Sequence, residues 1–126
     1  DVLLLSIKET NSVNTVEVKY HGIPVTGLII GPNMHGDRTF FSDNWPNKGR
    51  NWLPLVDHPY DKATSEFIVV APNHYQVISN GLLIEESNLD SNLKRSHWKQ
   101  SVPISCWLFA LGVAEFAVHY GDNLDG

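Results

Sequence analysis

The 126-residue sequence sets 9 Lys and Arg against 14 Asp and Glu, a formal charge of −5, which excludes the concentrated basic surface that nucleic acids and anionic membranes require. At 42% hydrophobic and 18% charged residues, it is too apolar for a disordered chain and large enough for one domain with one core. Its single cysteine, Cys106 in "ISCWLFAL", excludes an intrachain disulfide and a cysteine-based zinc site, and reads as a buried, inert thiol.

Strand signals dominate from the first residues onward. "VLLLSIK" (residues 2–8) sets Leu3, Leu5 and Ile7 on one face and Ser6 and Lys8 on the other. In "NTVEVKY" (14–20), Val16, Val18 and Tyr20 alternate with Thr15, Glu17 and Lys19, the period of a half-buried strand. "TGLIIG" (26–31) and "RTFFS" (38–42) predict short strands. "SEFIVVAP" (65–72) is continuously apolar with β-branched residues and predicts a central strand covered on both sides.

Asn80-Gly81, between the apolar stretches of "YQVISNGLLIEE" (75–86), predicts a type I′ hairpin, and "SNLDSN" (87–92) a loop after it. "SHWKQS" (96–101) and "PISCWLFALG" (103–112) predict two more strands, with Pro103 at a strand start or a bulge. In "AEFAVHY" (114–120), Phe116, Val118 and Tyr120 alternate with polar or small neighbours. Gly112 lies where that phase changes, as a bulge or bend requires. "GDNLDG" reads as a tail or a link.

No segment carries a convincing helical stripe. The one rival, "WLFALGVAEFAV" (107–118), reads as strand on its aromatic and β-branched content and its glycine. The longest apolar run, Pro103 to Val113, falls short of the roughly 20 residues of a membrane-spanning helix. The expectation is all-β: an antiparallel β-sandwich or saddle-like layered sheet, as a single domain over residues 1–126.

Chemistry contained within the chain finds little support. None of His21, His35, His58, His74, His97 and His119 has the i, i+4 partner of a His-Glu-x-x-His zinc helix. A strand-assembled site such as His35 with Asp37 stands against the plainer reading of surface or turn histidines. There is no Gly-x-Ser-x-Gly elbow, and "GLIIGPNMHG" lacks the lysine of a phosphate loop. Neither catalytic nor metal-binding residues, and no cofactor, are expected in this chain.

The stretch "RNWLPLVDHPYDKAT" (50–64) is unusually stiff and charged. Pro54 and Pro59 fix φ and extend Leu53 and His58 before them. Asp57 is placed to accept from turn N–H groups, Arg50 and Lys62 to neutralise it or bind carbonyls, and Trp52 and Leu55 to anchor the segment. It is either a rigid surface loop or a loop held stiff because it lines a site or meets another domain.

Taken as one unit, "FFSDNWPNKGRNWLPLVDHPYDKATSEFIVVAPNHYQVISNG" (40–81) resembles the N-terminal domain of the aminopeptidase N-like zinc metallopeptidases. Arg50, Pro54, Asp57, Pro59, Lys62, Thr64, Pro72 and Ser79-Asn80-Gly81 fall into the family's register without a gap, and "HWKQSVPISCWLFALGVAEF" (97–116) is similar to a later family segment. The resemblance spans roughly residues 38–120 and implies a saddle-like β domain that precedes a thermolysin-like catalytic domain. The zinc motif and the glycine-rich exopeptidase motif belong to that later domain and are absent from this chain. The chain is therefore expected to begin part-way into the family's first domain and to be inactive alone. Zinc is expected in the missing catalytic domain, which is its partner in the same parent chain, and peptide substrate is met through that parent.

Five residues before the motif arginine, many family members carry a Glu or Gln that helps bind the substrate's α-amino group. Here that position is Trp45, flanked by Asp43 and Asn44. Asp43, Asn44 and Trp45 are thus the substrate-pocket candidates: Asp43 as a carboxylate, or Trp45 as the wall of an apolar pocket. The plain alternative packs Trp45 on Pro46 and Trp52 in an ordinary loop. Arg50, Trp52, Asp57 and Lys62 are carried over as loop-fixing or domain-interface residues. A runner-up is an independent β-sandwich binding module for a glycan or protein ligand, with Trp45 and Trp52 as exposed, coplanar stacking platforms. A self-contained hydrolase, the third reading, lacks its zinc helix.

Overall fold

The computed structural model describes residues 15–119 and 121, and "VLLLSIK" lies outside them. Among the described residues the regular structure is nearly all β, in two antiparallel sheets. The first contains β1 (Leu28–Pro32), β2 (Arg38–Ser42), β4 (Gln76–Ser79) and β7 (Leu111–Ala114), in the order β1-β2-β7-β4. The second contains β3 (Lys62–Pro72), β5 (Leu82–Leu89) and β6 (Leu93–Ser105), in the order β3-β6-β5. Single 3-10 turns occupy Gly49–Asn51 and Cys106–Leu108.

Alternation along the strands decides which residues face inward. Phe40, Val113 and Val77 form one cross-strand row of the four-stranded sheet. An apolar cleft of about 410 Å³ separates Leu28, Phe40 and Val113 of this sheet from Val69 and Ala71 of the other, with Tyr75 closing one side. The Trp98 Nε1–H donates across to the Val77 carbonyl at 3.1 Å, and Lys94 Nζ reaches Gln76 at 3.2 Å. The sheets therefore form two layers tied at β4 and β6.

Several strand expectations need correction. Residues 15–20 form no strand: among the described residues their alternating side chains meet no neighbouring strand, and they stay largely exposed. Residues 115–119 likewise leave the sheet after Ala114. Among the described residues β3 pairs only with β6, and Ile68 and Val70 are exposed rather than covered because they point to the face turned away from the other sheet, opposite to Val69 and Ala71. "SHWKQS" and the start of "PISCWLFALG" are one long strand, β6, whose end turns into the 3-10 turn at Cys106. Pro103 lies in its irregular part, between the pairs Ser65↔Gln100 and Ala63↔Ile104. Gly112 makes no bulge. It pairs in register with Phe41 and Ile78, and the Phe41 and Phe116 rings lie 3.6 Å from where its Cβ would be.

Asn80-Gly81 is a turn but not a hairpin turn. β4 pairs with β7 and β5 pairs with β6, so the dipeptide carries the chain from one sheet to the other. Gly81 alone has positive φ (82°), and a Cβ there would run into the Lys99 carbonyl. The Asn80 side chain is spent on tertiary bonds, accepting from Ala110 N–H at 2.6 Å and donating to Leu108 O at 3.1 Å. The consecutive positive φ values that mark a type I′ turn occur instead at Ser91 (65°) and Asn92 (59°), inside the expected loop, where they join β5 to β6.

Candidate functional site

β2 ends at Ser42, and residues 43–61 cross to the start of β3. This connection is held from beneath at Asn44, which is only 3% exposed. Its Nδ2 donates to the carbonyls of Phe109 (2.6 Å) and Cys106 (3.5 Å), and its Oδ1 accepts from the Trp52 indole at 2.8 Å. Its own carbonyl accepts from Lys48 N–H at 2.8 Å. One side chain thus joins the start of the loop, its middle and the segment between β6 and β7. Gly27 makes the close approach on the outer side. It has φ 87°, its carbonyl accepts from Asp43 N–H at 2.8 Å, and any Cβ would collide with the Lys48 carbonyl.

A second anchor is Asp57, whose side chain is 2% exposed. One carboxylate oxygen accepts from Arg50 N–H at 3.0 Å and Arg50 Nε–H at 3.3 Å, and Arg50 Nη2 also donates to the Asp57 carbonyl at 3.3 Å. The other oxygen lies 3.5 Å from Cys106 Sγ. Burial, and then the neighbouring Asp57 carboxylate, push the Cys106 thiol pKa above its ordinary value. Ser105 Oγ donates to the Pro59 carbonyl at 2.7 Å, so the far end of the loop is tied to the end of β6.

What this framework presents outward differs among the pocket candidates. The Asn44 amide is used internally. Trp45 is 65% exposed, and Asp43 lies beside it in an ion pair with Lys48. Trp52 is half-buried, stacked on Phe67 at 6.3 Å with 25° between the rings, and its carbonyl accepts from Tyr20 Oη–H at 2.8 Å. Trp45 and Trp52 therefore do not build the paired stacking platform of the glycan-binding alternative. Lys62 begins β3 opposite Ser105, and among the described residues it makes no ion pair with Asp57.

His35 and Asp37 belong to a turn organised by Asn33, whose Oδ1 accepts from both their N–H groups at 2.8 and 3.0 Å. Among the described residues no group of three or more His, Cys, Asp and Glu could hold a metal ion. The anchoring roles of Asn44 and Gly27 had no local signal, because their partners are distant in sequence or are backbone atoms.

A sequence model described as "Peptidase M1 N-terminal domain" matches residues 2–108. The chain is 31% identical to the glutamyl aminopeptidase of Bos taurus over 136 aligned positions, covering 98% of this chain and 14% of that protein. It is also 31% identical to the Homo sapiens glutamyl aminopeptidase over 83 residues, 66% of this chain and 8% of that one. Among solved structures, an M1 zinc metallopeptidase from Deinococcus radiodurans superposes with TM-score 0.57 at 29% identity, over 60% of this chain and 17% of that chain. A two-domain M1 zinc metallopeptidase mutant bound to L-tryptophan gives TM-score 0.62 at 26% identity, over 73% and 22%. The chain spans only a small part of the length of the relatives it matches.

Proposed function

The chain belongs to the peptidase M1 N-terminal domain family, and on that premise we propose that it is the non-catalytic N-terminal domain of a zinc aminopeptidase. It docks to the catalytic domain of the same parent chain and presents the loop around Trp45 to the substrate entrance. The zinc of the parent is held by that other domain. On this reading the chain contributes binding surface to the parent's substrate entrance.

One observation carries the reading. Residues 43–61 are fixed by two buried polar side chains, Asn44 and Asp57, yet Trp45, directly after the first of them, turns a large indole outward at 65% exposure. Ordering such a loop costs conformational entropy of about 1–2 kcal/mol per residue, and a pre-ordered loop meets its ligand without incurring that cost at binding. Asp43, neutralised by Lys48, leaves Trp45 as the apolar feature offered to the first side chain of a peptide.

The test is Trp45→Glu in the full-length protein, assayed on amino-acid amides with apolar, acidic and basic side chains. The expected result is a shift of at least tenfold in the kcat/KM ratio between apolar and basic substrates. A ratio unchanged within twofold, in an active enzyme, removes Trp45 from the substrate entrance.

A further inference from the structure

Asn80-Gly81 is the one Asn-Gly pair in the sequence, and it stands at a crossing between the two sheets. With no side chain on Gly81, its main-chain nitrogen is unshielded and within one residue of the Asn80 side-chain amide carbon. That makes the pair prone to attack on itself. The glycine is also required here. Its φ is 82°, and a Cβ would run into the Lys99 carbonyl and crowd Gln100 Cα. The fold therefore keeps a chemically labile pair where it cannot substitute a safer residue.

The same fold restrains that chemistry. Asn80 Oδ1 accepts from Ala110 N–H at 2.6 Å and Asn80 Nδ2 donates to Leu108 O at 3.1 Å. Ser79 Oγ donates to Ala110 O at 2.6 Å, so two adjacent side chains grip residues 108–110 through three bonds. Asn44 holds the neighbouring Cys106 and Phe109 carbonyls from the other side. An amide engaged at both its atoms cannot turn its carbon toward the Gly81 nitrogen without giving up those bonds. Attack then requires local opening of the turn, and its rate follows the population of the open form.

We propose that Asn80 is a site of spontaneous deamidation, held silent by the closed crossing, and that its modification unlocks residues 106–110. In the first step the Gly81 nitrogen gives its proton to water and bonds to Asn80 Cγ. The Cγ–Nδ2 bond breaks, Nδ2 departs as ammonia, and a cyclic imide remains. Water then opens the imide. Opening at Cγ gives aspartate, and opening at the main-chain carbonyl reroutes the chain through Cγ as isoaspartate. Either product exchanges the amide for a carboxylate, which only accepts, so the Leu108 carbonyl loses its donor. Isoaspartate also lengthens the main chain in a turn whose Gly81 has no spare room toward Lys99 and Gln100. The inference is independent of the aminopeptidase reading.

The experiment incubates the full-length protein at mildly alkaline pH, in native buffer and in urea. The peptide containing Asn80 is followed by mass spectrometry, with aspartate and isoaspartate separated by chromatography. Deamidation is expected to be at least tenfold slower in native buffer than in urea. Ser79→Ala removes the bond to Ala110 O and leaves Asn80-Gly81 intact, and circular dichroism checks its fold. It is expected to speed the native reaction at least threefold without changing the rate in urea. Amide hydrogen exchange across residues 106–111 is expected to be faster in the modified protein than in the unmodified one. Native and urea rates within twofold of each other overturn the protection, whether or not the variant folds. A folded Ser79→Ala that reacts at the natural rate overturns the grip as its cause. Unchanged exchange at residues 106–111 after modification overturns the unlocking.

Discussion

Replacing Asn44 by alanine removes one buried amide and leaves three partners behind. The Phe109 carbonyl loses a bond of 2.6 Å, the Trp52 indole N–H one of 2.8 Å, and the Cys106 carbonyl one of 3.5 Å. A buried polar group left without a partner costs about 1–3 kcal/mol. The 3.5 Å bond sits at the limit of hydrogen-bond geometry and contributes little. Trp52 is half-buried, so water can partly replace its lost acceptor. The sum is about 2–4 kcal/mol, which for a domain of this size lowers Tm by roughly 8–16 °C.

Asn44→Asp sharpens the argument. It keeps an acceptor for Trp52 but turns a carboxylate toward the Phe109 carbonyl, so it should destabilise at least as much as alanine. Urea and thermal unfolding of the chain, followed by circular dichroism and tryptophan fluorescence, measures both variants. A loss under about 0.5 kcal/mol for Asn44→Ala, or an aspartate variant as stable as the natural chain, would refute the placement of Asn44 at the centre of the loop.

Asp57→Ala strands the Arg50 N–H and removes a charge-assisted bond to its guanidinium, with an expected loss of about 2–4 kcal/mol in the same unfolding assay. Restoring the acceptor with Asp57→Asn should recover part of that loss. The Cys106 thiol is held protonated by burial and by Asp57. Its folded-state pKa is raised, so its contribution to stability is complete below the unfolded-chain value and is lost as pH rises through the folded value. Stability should therefore fall on the alkaline side of the ordinary thiol pKa, and Cys106→Ala should flatten that slope. Slow reaction of Cys106 with a thiol reagent in native buffer, becoming fast in urea, is the companion observation.

Local pattern carried much of the architecture. "RTFFS" marks β2 at its observed bounds because a short β-rich run between turn residues has few other options. The all-β class follows from the same logic applied along the chain. Pattern misled where pairing depends on distant partners. Residues 15–20 alternate well but meet no strand among the described residues, and "SEFIVVAP" is apolar on both faces although only one face of β3 is turned toward the other sheet. Asn80-Gly81 carries a hairpin signal, yet Asn80 bonds Leu108 and Ala110, and that tertiary use directs the turn between sheets.

The loop's chemistry divided in the same way. The pairing of Arg50 with Asp57 spans seven residues and could be anticipated from neighbouring charges. Asn44 and Phe109 lie 65 residues apart, so no local window reveals that Asn44 points inward while Trp45 points out. Gly27 could not be singled out either, because the atom that excludes a side chain there is the backbone oxygen of Lys48.

The most direct measurement is photo-crosslinking of the full-length protein with a peptide whose first residue carries a photoreactive aromatic side chain. If residues 43–48 line the substrate entrance, label appears on peptides containing Trp45, is competed by unmodified peptide, and falls sharply in Trp45→Ala. Label confined to the catalytic half, with none between Asp43 and Lys48 under saturating peptide, would contradict the account.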